Sequence, residues 1–125
     1  MLRKDGMEKE RFNEINPTLE QKISYVEECL PSSETPVIAA TDYMRTYPEQ
    51  IRGFIKAPYY TLGTDGYGRS DSRQKLREFF EVDATNIARL SIYSLFRKGD
   101  ISKKEIISLY KKLKVDPSKP NPWEV

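Results

Sequence analysis

The run from Gly63 to Arg73 holds the densest collection of chemically able groups in this sequence. Gly66 and Gly68 allow the backbone to turn. Free amides at the start of a helix, with Arg69 and Arg73 beside them, suit a phosphate or a carboxylate. Ser70 and Ser72 are both competent helix caps at that point. The commoner arrangement of such residues is purely structural: the glycines shape a strand-to-helix turn, and Arg69 and Asp71 pair with a neighbouring domain or subunit. A second group, Thr41 and Asp42, follows the apolar run Val37-Ile38-Ala39-Ala40. Open α/β sheets place ligands at the carboxyl ends of their strands, and Asp65 stands at the end of the next strand-like run. Thr41, Asp42 and Asp65 in one crevice would offer two carboxylates for acid–base work or a magnesium ion. Turn capping by Thr and Asp is the more frequent use.

What the chain lacks is equally informative. Its 125 residues contain no histidine and one cysteine, Cys29. Imidazole proton shuttling, imidazole metal ligation, and Ser-His or Cys-His nucleophile activation therefore lie outside its own repertoire. A single thiol beside Glu27 and Glu28 forms no internal disulfide and has no neighbouring cation to lower its pKa. The net charge is +2, too small for the basic stripe that nucleic acid requires. Lys103, Lys104, Lys111, Lys112 and Lys114 read as a solvated helix face, with an acidic protein partner as the alternative. No apolar run is long enough for a membrane span, and the charged start lacks a signal-peptide core. Cytoplasmic residence is the expectation.

The elements that must position these groups follow from periodicity and punctuation. Residues 1–35 read as a polar helical lead-in, broken at Asn16-Pro17, with Leu19, Ile23, Val26 and Leu30 at helical spacing. Residues 36–97 read as the core. Val37–Ala40 is a buried parallel strand, and Tyr47, Ile51, Phe54 and Ile55 line one helix behind Pro48. Tyr59–Leu62 is a second strand, with Tyr59 and Tyr60 packing rather than stacking on bases. A helix through Phe80 then turns Leu76, Phe79 and Phe80 inward. Another runs from an Asp83 cap to Arg97 and stops at Gly99; apolar almost all round, it should be the most buried element. Residues 98–125 supply a last helix, opened by the capping box Ser102-Lys103-Lys104-Glu105, and an extended tail from Asp116. Strand–helix–strand with this spacing is a right-handed parallel unit of an α/β fold. Two strands make a poor sheet, however, and an apolar strand such as Val37–Ala40 expects neighbours. The apolar fraction of 38 % also leaves a thin core.

The segment Gly63-Thr64-Asp65-Gly66-Tyr67-Gly68-Arg69-Ser70-Asp71-Ser72-Arg73 resembles the GTDG(F/Y)GRSDSR stretch of the homodimeric bacterial pyruvate dehydrogenase decarboxylating component. Other runs are similar to that family in the same order. Asp5-Gly6 with Glu10-Arg11 and Asn13 resembles its DGxxxERxN; Ala40-Thr41-Asp42-Tyr43-Met44 resembles its (A/S)TDYM. Phe80-Glu81-Val82-Asp83-Ala84, the turn Lys98-Gly99-Asp100-Ile101 and Asn121-Pro122 follow suit.

The resemblance implies an α/β fold: part of a three-layer, transketolase C-terminal-like domain, with two parallel strands and flanking helices. It implies a parent enzyme that uses thiamine diphosphate and magnesium to decarboxylate pyruvate and passes the acetyl group to a lipoyl group on an acyltransferase component. The family's cofactor motif, GDG followed at a distance by NN, has no counterpart here, so no cofactor, metal or catalytic residue is carried over to this chain. Strands precede DGxxxERxN in the family, which makes a truncated, split or separately encoded fragment the expectation. Its partners would be the remainder of the enzyme, the dimer mate and, indirectly, the acyltransferase component, with neither nucleic acid nor membrane. The alternative is a stand-alone small-anion-binding or regulatory module using the Thr64–Arg73 loop.

Overall fold

Two parallel strands form the sheet, β1 (Val37–Ala40) and β2 (Tyr59–Leu62), with Val37 opposite Tyr59 and Ala40 opposite Leu62. The computed structural model describes residues 1–64 and 73–122, the side chains of Arg73, Gln74 and Arg77 excepted. Around the sheet lie α1 (Leu2–Ile15), α2 (Tyr25–Cys29), α3 (Thr46–Glu49), a 3-10 turn (Arg52–Phe54), α4 (Arg73–Phe79), α5 (Ala84–Lys98) and α6 (Lys103–Leu113). Helix α5 packs against both strands and against α6. The α/β class, the parallel pair and the flanking helices agree with the sequence reading.

The strand ladder leaves its two edges in different states. Val37 N–H donates to Pro58 C=O (2.9 Å) and Thr41 N–H to Leu62 C=O (3.0 Å). The backbone groups of Ile38 and Ala40 consequently point away from β2, and no described residue pairs with them. The far edge of β2 is met by side chains: Arg52 Nη1 donates to Tyr59 C=O at 2.9 Å, and the Thr61 hydroxyl donates to Glu49 Oε1 at 2.7 Å.

Helix α1 is held by the residues of its own signature. Asp5 Oδ2 accepts from Tyr25 N–H (2.8 Å), which ties α1 to α2, and Oδ1 accepts from Lys9 Nζ (3.0 Å). Both contacts favour the ionised form and hold the Asp5 carboxyl below its usual range, the Tyr25 amide contributing most. Asn13 grips the backbone of Lys22 from both sides, donating to its C=O at 2.9 Å and accepting from its N–H at 2.7 Å. Gly6, the buried residue of α1, lies against the Phe54 ring so closely that a Cβ there would sit 2.5 Å from Cζ. Glu10 and Arg11, by contrast, are exposed.

Several local expectations are corrected. The helix spanning Leu19 to Leu30 is only Tyr25–Cys29, because Ser24 caps it by accepting from Glu27 N–H, and the Asn13–Lys22 clamp fixes the chain ahead of it. Leu19 and Ile23 are exposed. The single helix behind Pro48 is broken into α3 and the 3-10 turn, and Tyr47 is exposed rather than inward. Helix α5 has its expected limits, with Asp83 Oδ1 accepting from Asn86 N–H and Gly99 in the left-handed region at φ 96°. It is not the most buried element. Most of its apolar residues are half-buried, since a two-stranded sheet covers too little of a helix that is apolar all round. The tail is not simply extended, because Asp116–Lys119 forms a turn.

The core is correspondingly thin. Its buried apolar residues are Val26, Phe54, Ala57, Tyr59, Leu62, Phe80, Val82 and Ile106, and no large described side chain is fully enclosed. The accessible surface is 9175 Å².

Candidate functional site

At the carboxyl end of the sheet, Thr41, Asp42 and Thr64 come together. Thr41 Oγ1 accepts from Tyr43 N–H (3.1 Å), turning the chain as it leaves β1. Thr64, two residues past β2, donates from its hydroxyl to Asp42 C=O (2.8 Å) and from its backbone to Tyr43 C=O (2.9 Å). Gly63 makes that closure possible. A Cβ on Gly63 would lie 2.7 Å from the backbone nitrogen of Arg45 and 2.9 Å from the carbonyl oxygen of Tyr43. Glycine is therefore required here by close backbone approach.

Both hydroxyls thus bond to main-chain groups, which suits a structural latch better than proton transfer. Beside it, Tyr43 and Tyr47 meet edge to face with ring centres 5.9 Å apart. They are 71 % and 62 % exposed, and Met44 between them is also exposed. This apolar patch occupies the strand end where a ligand or a neighbouring domain would approach.

Asp65, Gly66, Gly68, Arg69, Ser70 and Ser72, together with Asp71, lie outside the described residues. Arg73 opens α4, and its side chain is likewise outside the description. The shared crevice of Asp42 and Asp65 and the serine caps fall in the same category.

The most perturbed acid near the sheet is one that sequence reasoning missed. Glu49 Oε1 accepts from Arg52 Nη2 (2.8 Å) and from Thr61 Oγ1 (2.7 Å), and Arg52 Nε bonds to the other oxygen. The guanidinium also lies 5.0 Å over the Tyr59 ring, whose hydroxyl donates to Pro48 C=O at 2.7 Å. The Arg52 bonds, then the Thr61 bond, hold the Glu49 carboxyl down to about 2. A carboxylate so acidic is a poor proton acceptor at neutral pH, so the group joins α3 to β2 rather than acting as a base. Burial pushes the Tyr59 phenol up. The spacing of opposite charges at Glu49 and Arg52, three residues apart, was the available signal.

This arrangement predicts a measurable pH dependence. Glu49 has an ordinary value of 4.5 and is held at about 2 when folded. The stability it contributes is complete above about pH 5 and disappears as the pH falls towards 2. The side chain is about one-third exposed, so screening reduces its contribution to about 1 kcal/mol. Thermal melts between pH 5 and 2 should show a shallower decline for Glu49→Gln than for the unaltered chain; equal slopes would refute the assignment.

Among the described residues no group of three or more Cys, Asp or Glu is placed to hold a metal ion. The Thr41 hydroxyl accepts from a backbone amide, and the Glu49 carboxylate is taken up by Arg52 and Thr61. No described helix is long and apolar enough to cross a membrane.

A family model of the transketolase-like C-terminal domain matches residues 12–83, which include both strands and the turns at their carboxyl ends. The chain belongs to this family. Transketolase C-terminal-like relatives extend the match over nearly the whole chain. The pyruvate dehydrogenase E1 component of Pseudomonas aeruginosa is 49 % identical over 124 residues, 98 % of this chain and 14 % of the relative. That of Cupriavidus necator is 45 % identical over 99 % of this chain, and that of Escherichia coli K12 is 38 % identical over 97 %. The chain thus spans about 14 % of the length of the curated relatives it matches. In this transketolase C-terminal-like segment, several described residues of the motifs serve packing, capping and turn closure, while Glu10, Arg11, Tyr43 and Met44 are exposed. Asp5, Gly6 and Asn13 hold α1, Thr41 and Thr64 close the strand ends, Phe80 and Val82 enter the core, and Asp83 caps α5.

Proposed function

We propose that this chain is a structural and subunit-contact part of a pyruvate dehydrogenase decarboxylating component, and that catalysis is carried by the remainder of that enzyme. The observation that carries this reading is the use of the signature residues. Asp5, Gly6, Asn13, Thr41, Thr64, Phe80, Val82 and Asp83 stabilise the segment itself, while Tyr43, Met44 and Tyr47 face outward and no described residue pairs with the outer edge of β1. In this reading thiamine diphosphate and magnesium bind elsewhere in the parent enzyme. Pyruvate is decarboxylated there, and the acetyl group passes to a lipoyl group of the acyltransferase component in the cytoplasm. The partners of this chain are the rest of the enzyme and its dimer mate. The residues from Thr64 to Arg73 serve as an interface loop, whose entry is set by Thr41, Asp42 and Thr64.

The test combines light scattering after gel filtration, a thermal melt and a turnover assay, with and without the remaining enzyme segment. The isolated chain should self-associate and melt with weak cooperativity. Adding the missing segment should give a defined complex with thiamine-dependent turnover. A strictly monomeric chain that melts cooperatively and ignores the segment would overturn the proposal. In that event, titration of the loop amides with phosphate, pyruvate or nucleotide would examine the small-anion-binding alternative.

A further inference from the structure

Helix α4 has only seven residues, far fewer than the roughly 12 to 15 that an isolated helix needs in water. Its stability must come from outside. Part of that support comes from a residue about 40 positions further along the chain. Lys119 Nζ donates to Glu78 C=O (3.1 Å), which also accepts from Glu81 N–H (3.3 Å), and to Phe79 C=O (3.5 Å), both in the last turn of α4. The same ammonium lies 3.3 Å from Glu81 Oε1. A cation at a helix carboxyl end is favourable on dipole grounds as well.

The segment that delivers Lys119 is itself shaped for the task. Lys114 ends α6 in the left-handed region at φ 56°. Asp116 Oδ1 then accepts from the amide (2.9 Å) and hydroxyl (2.6 Å) of Ser118, and Lys119 N–H donates to Asp116 C=O at 3.3 Å. Both contacts hold the Asp116 carboxyl low, the Ser118 hydroxyl contributing most. On the receiving side, Glu81 is in the left-handed region at φ 61°, a conformation that non-glycine residues rarely adopt. From there its second oxygen meets Arg89 Nη2 at 3.5 Å, and Arg89 Nε donates to Asn86 beside the α5 cap.

A cavity of about 320 Å³ lies between these groups. Of the three cations that line it, Arg89, Lys114 and Lys119, two engage Glu81, which ties both walls of the cavity to one carboxylate.

We propose that Asp116–Lys119 is a strap that fastens α4, with Lys119 as its latch on the Glu78 and Phe79 carbonyls and the Glu81 carboxylate. Helix α4 begins at Arg73, directly after the signature loop, so the strap governs how firmly the helix behind that loop is held. Anything that withdraws Lys119, such as an acidic surface competing for its ammonium, releases α4 without unfolding α5 or α6.

The test is amide hydrogen exchange across the whole chain, comparing Lys119→Met and Lys119→Arg with the unaltered protein. Loss of a charge-assisted contact of this kind should speed exchange at Glu78–Glu81 roughly five- to tenfold. Exchange in α6 should stay unchanged, and Lys119→Arg should recover part of the protection. Should Lys119→Met fail to fold, Glu81→Gln removes the same ion pair with little change of shape and is expected to give the same selective loosening. Unchanged exchange at α4, or equal acceleration in α4 and α6, would overturn the proposal.

Discussion

Gly63→Ala is expected to destabilise the chain by about 3 kcal/mol and to abolish complementation by the remaining enzyme segment. The new methyl group would stand 2.7 Å from the Arg45 backbone nitrogen and 2.9 Å from the Tyr43 carbonyl oxygen. Main-chain atoms cannot rotate aside, so the 43–45 segment or the end of β2 must move. Either movement breaks the 2.9 Å bond from Thr64 N–H to Tyr43 C=O and disturbs the Thr64 hydroxyl bond to Asp42. The Tyr43 and Tyr47 pair moves with them, and this patch is part of the proposed contact surface. Urea unfolding and the complementation assay should fail together. An alanine variant with unaltered midpoint and full complementation would show that the strand ends are not closed in this way.

Gly6→Ala should cost about 2 kcal/mol, the second largest expected effect, despite improving the intrinsic helix propensity of α1 by up to about 1 kcal/mol. The added carbon would lie 2.5 to 2.6 Å from three atoms of the Phe54 ring. Phe54 is buried, so its ring has little room to retreat, and α1 must lift away from the 3-10 turn. The two sites are coupled, so the cost is expected to be non-additive. In a Phe54→Leu background, the smaller side chain should absorb much of the alanine, and Gly6→Ala should then cost well under half as much. A double-mutant cycle by urea unfolding decides the matter. Equal costs in the two backgrounds would rule out the ring as the cause.

These two glycines show what was legible in the sequence and what was not. Their presence in recurring motifs was visible, but the reason for each is an approach between segments distant in the chain. Phe54 meets Gly6 across 48 positions, and Gly63 meets the backbone near Arg45 across the parallel pair. Both strands could be read directly, because Val37–Ala40 and Tyr59–Leu62 are short apolar runs between clear breaks. The helix limits set by Asp83, Gly99 and Ser102 were legible for the same local reason. Between Asn16 and Ser24 the apolar spacing suggested a helix, but the two-sided grip of Asn13 on Lys22 prevailed. Glu49 was overlooked because its third partner, Thr61, is twelve residues away and arrives only when β2 docks. At the carboxyl end of the sheet, the sequence places Thr41 and Asp42 directly after β1, whereas the hydrogen bonds they make there needed Thr64 in place.

The unequal edges of the sheet bear on how copies of the isolated chain would meet. At one side no described residue bonds to the Ile38 and Ala40 backbone; at the other, Arg52 bonds to the Tyr59 carbonyl and Glu49 to the Thr61 hydroxyl. A second copy arriving at the open side, related by a twofold axis, would set β1 against β1 in antiparallel fashion. Arg52 occupies the Tyr59 carbonyl on the other edge, so edge-to-edge association is directed to β1 first.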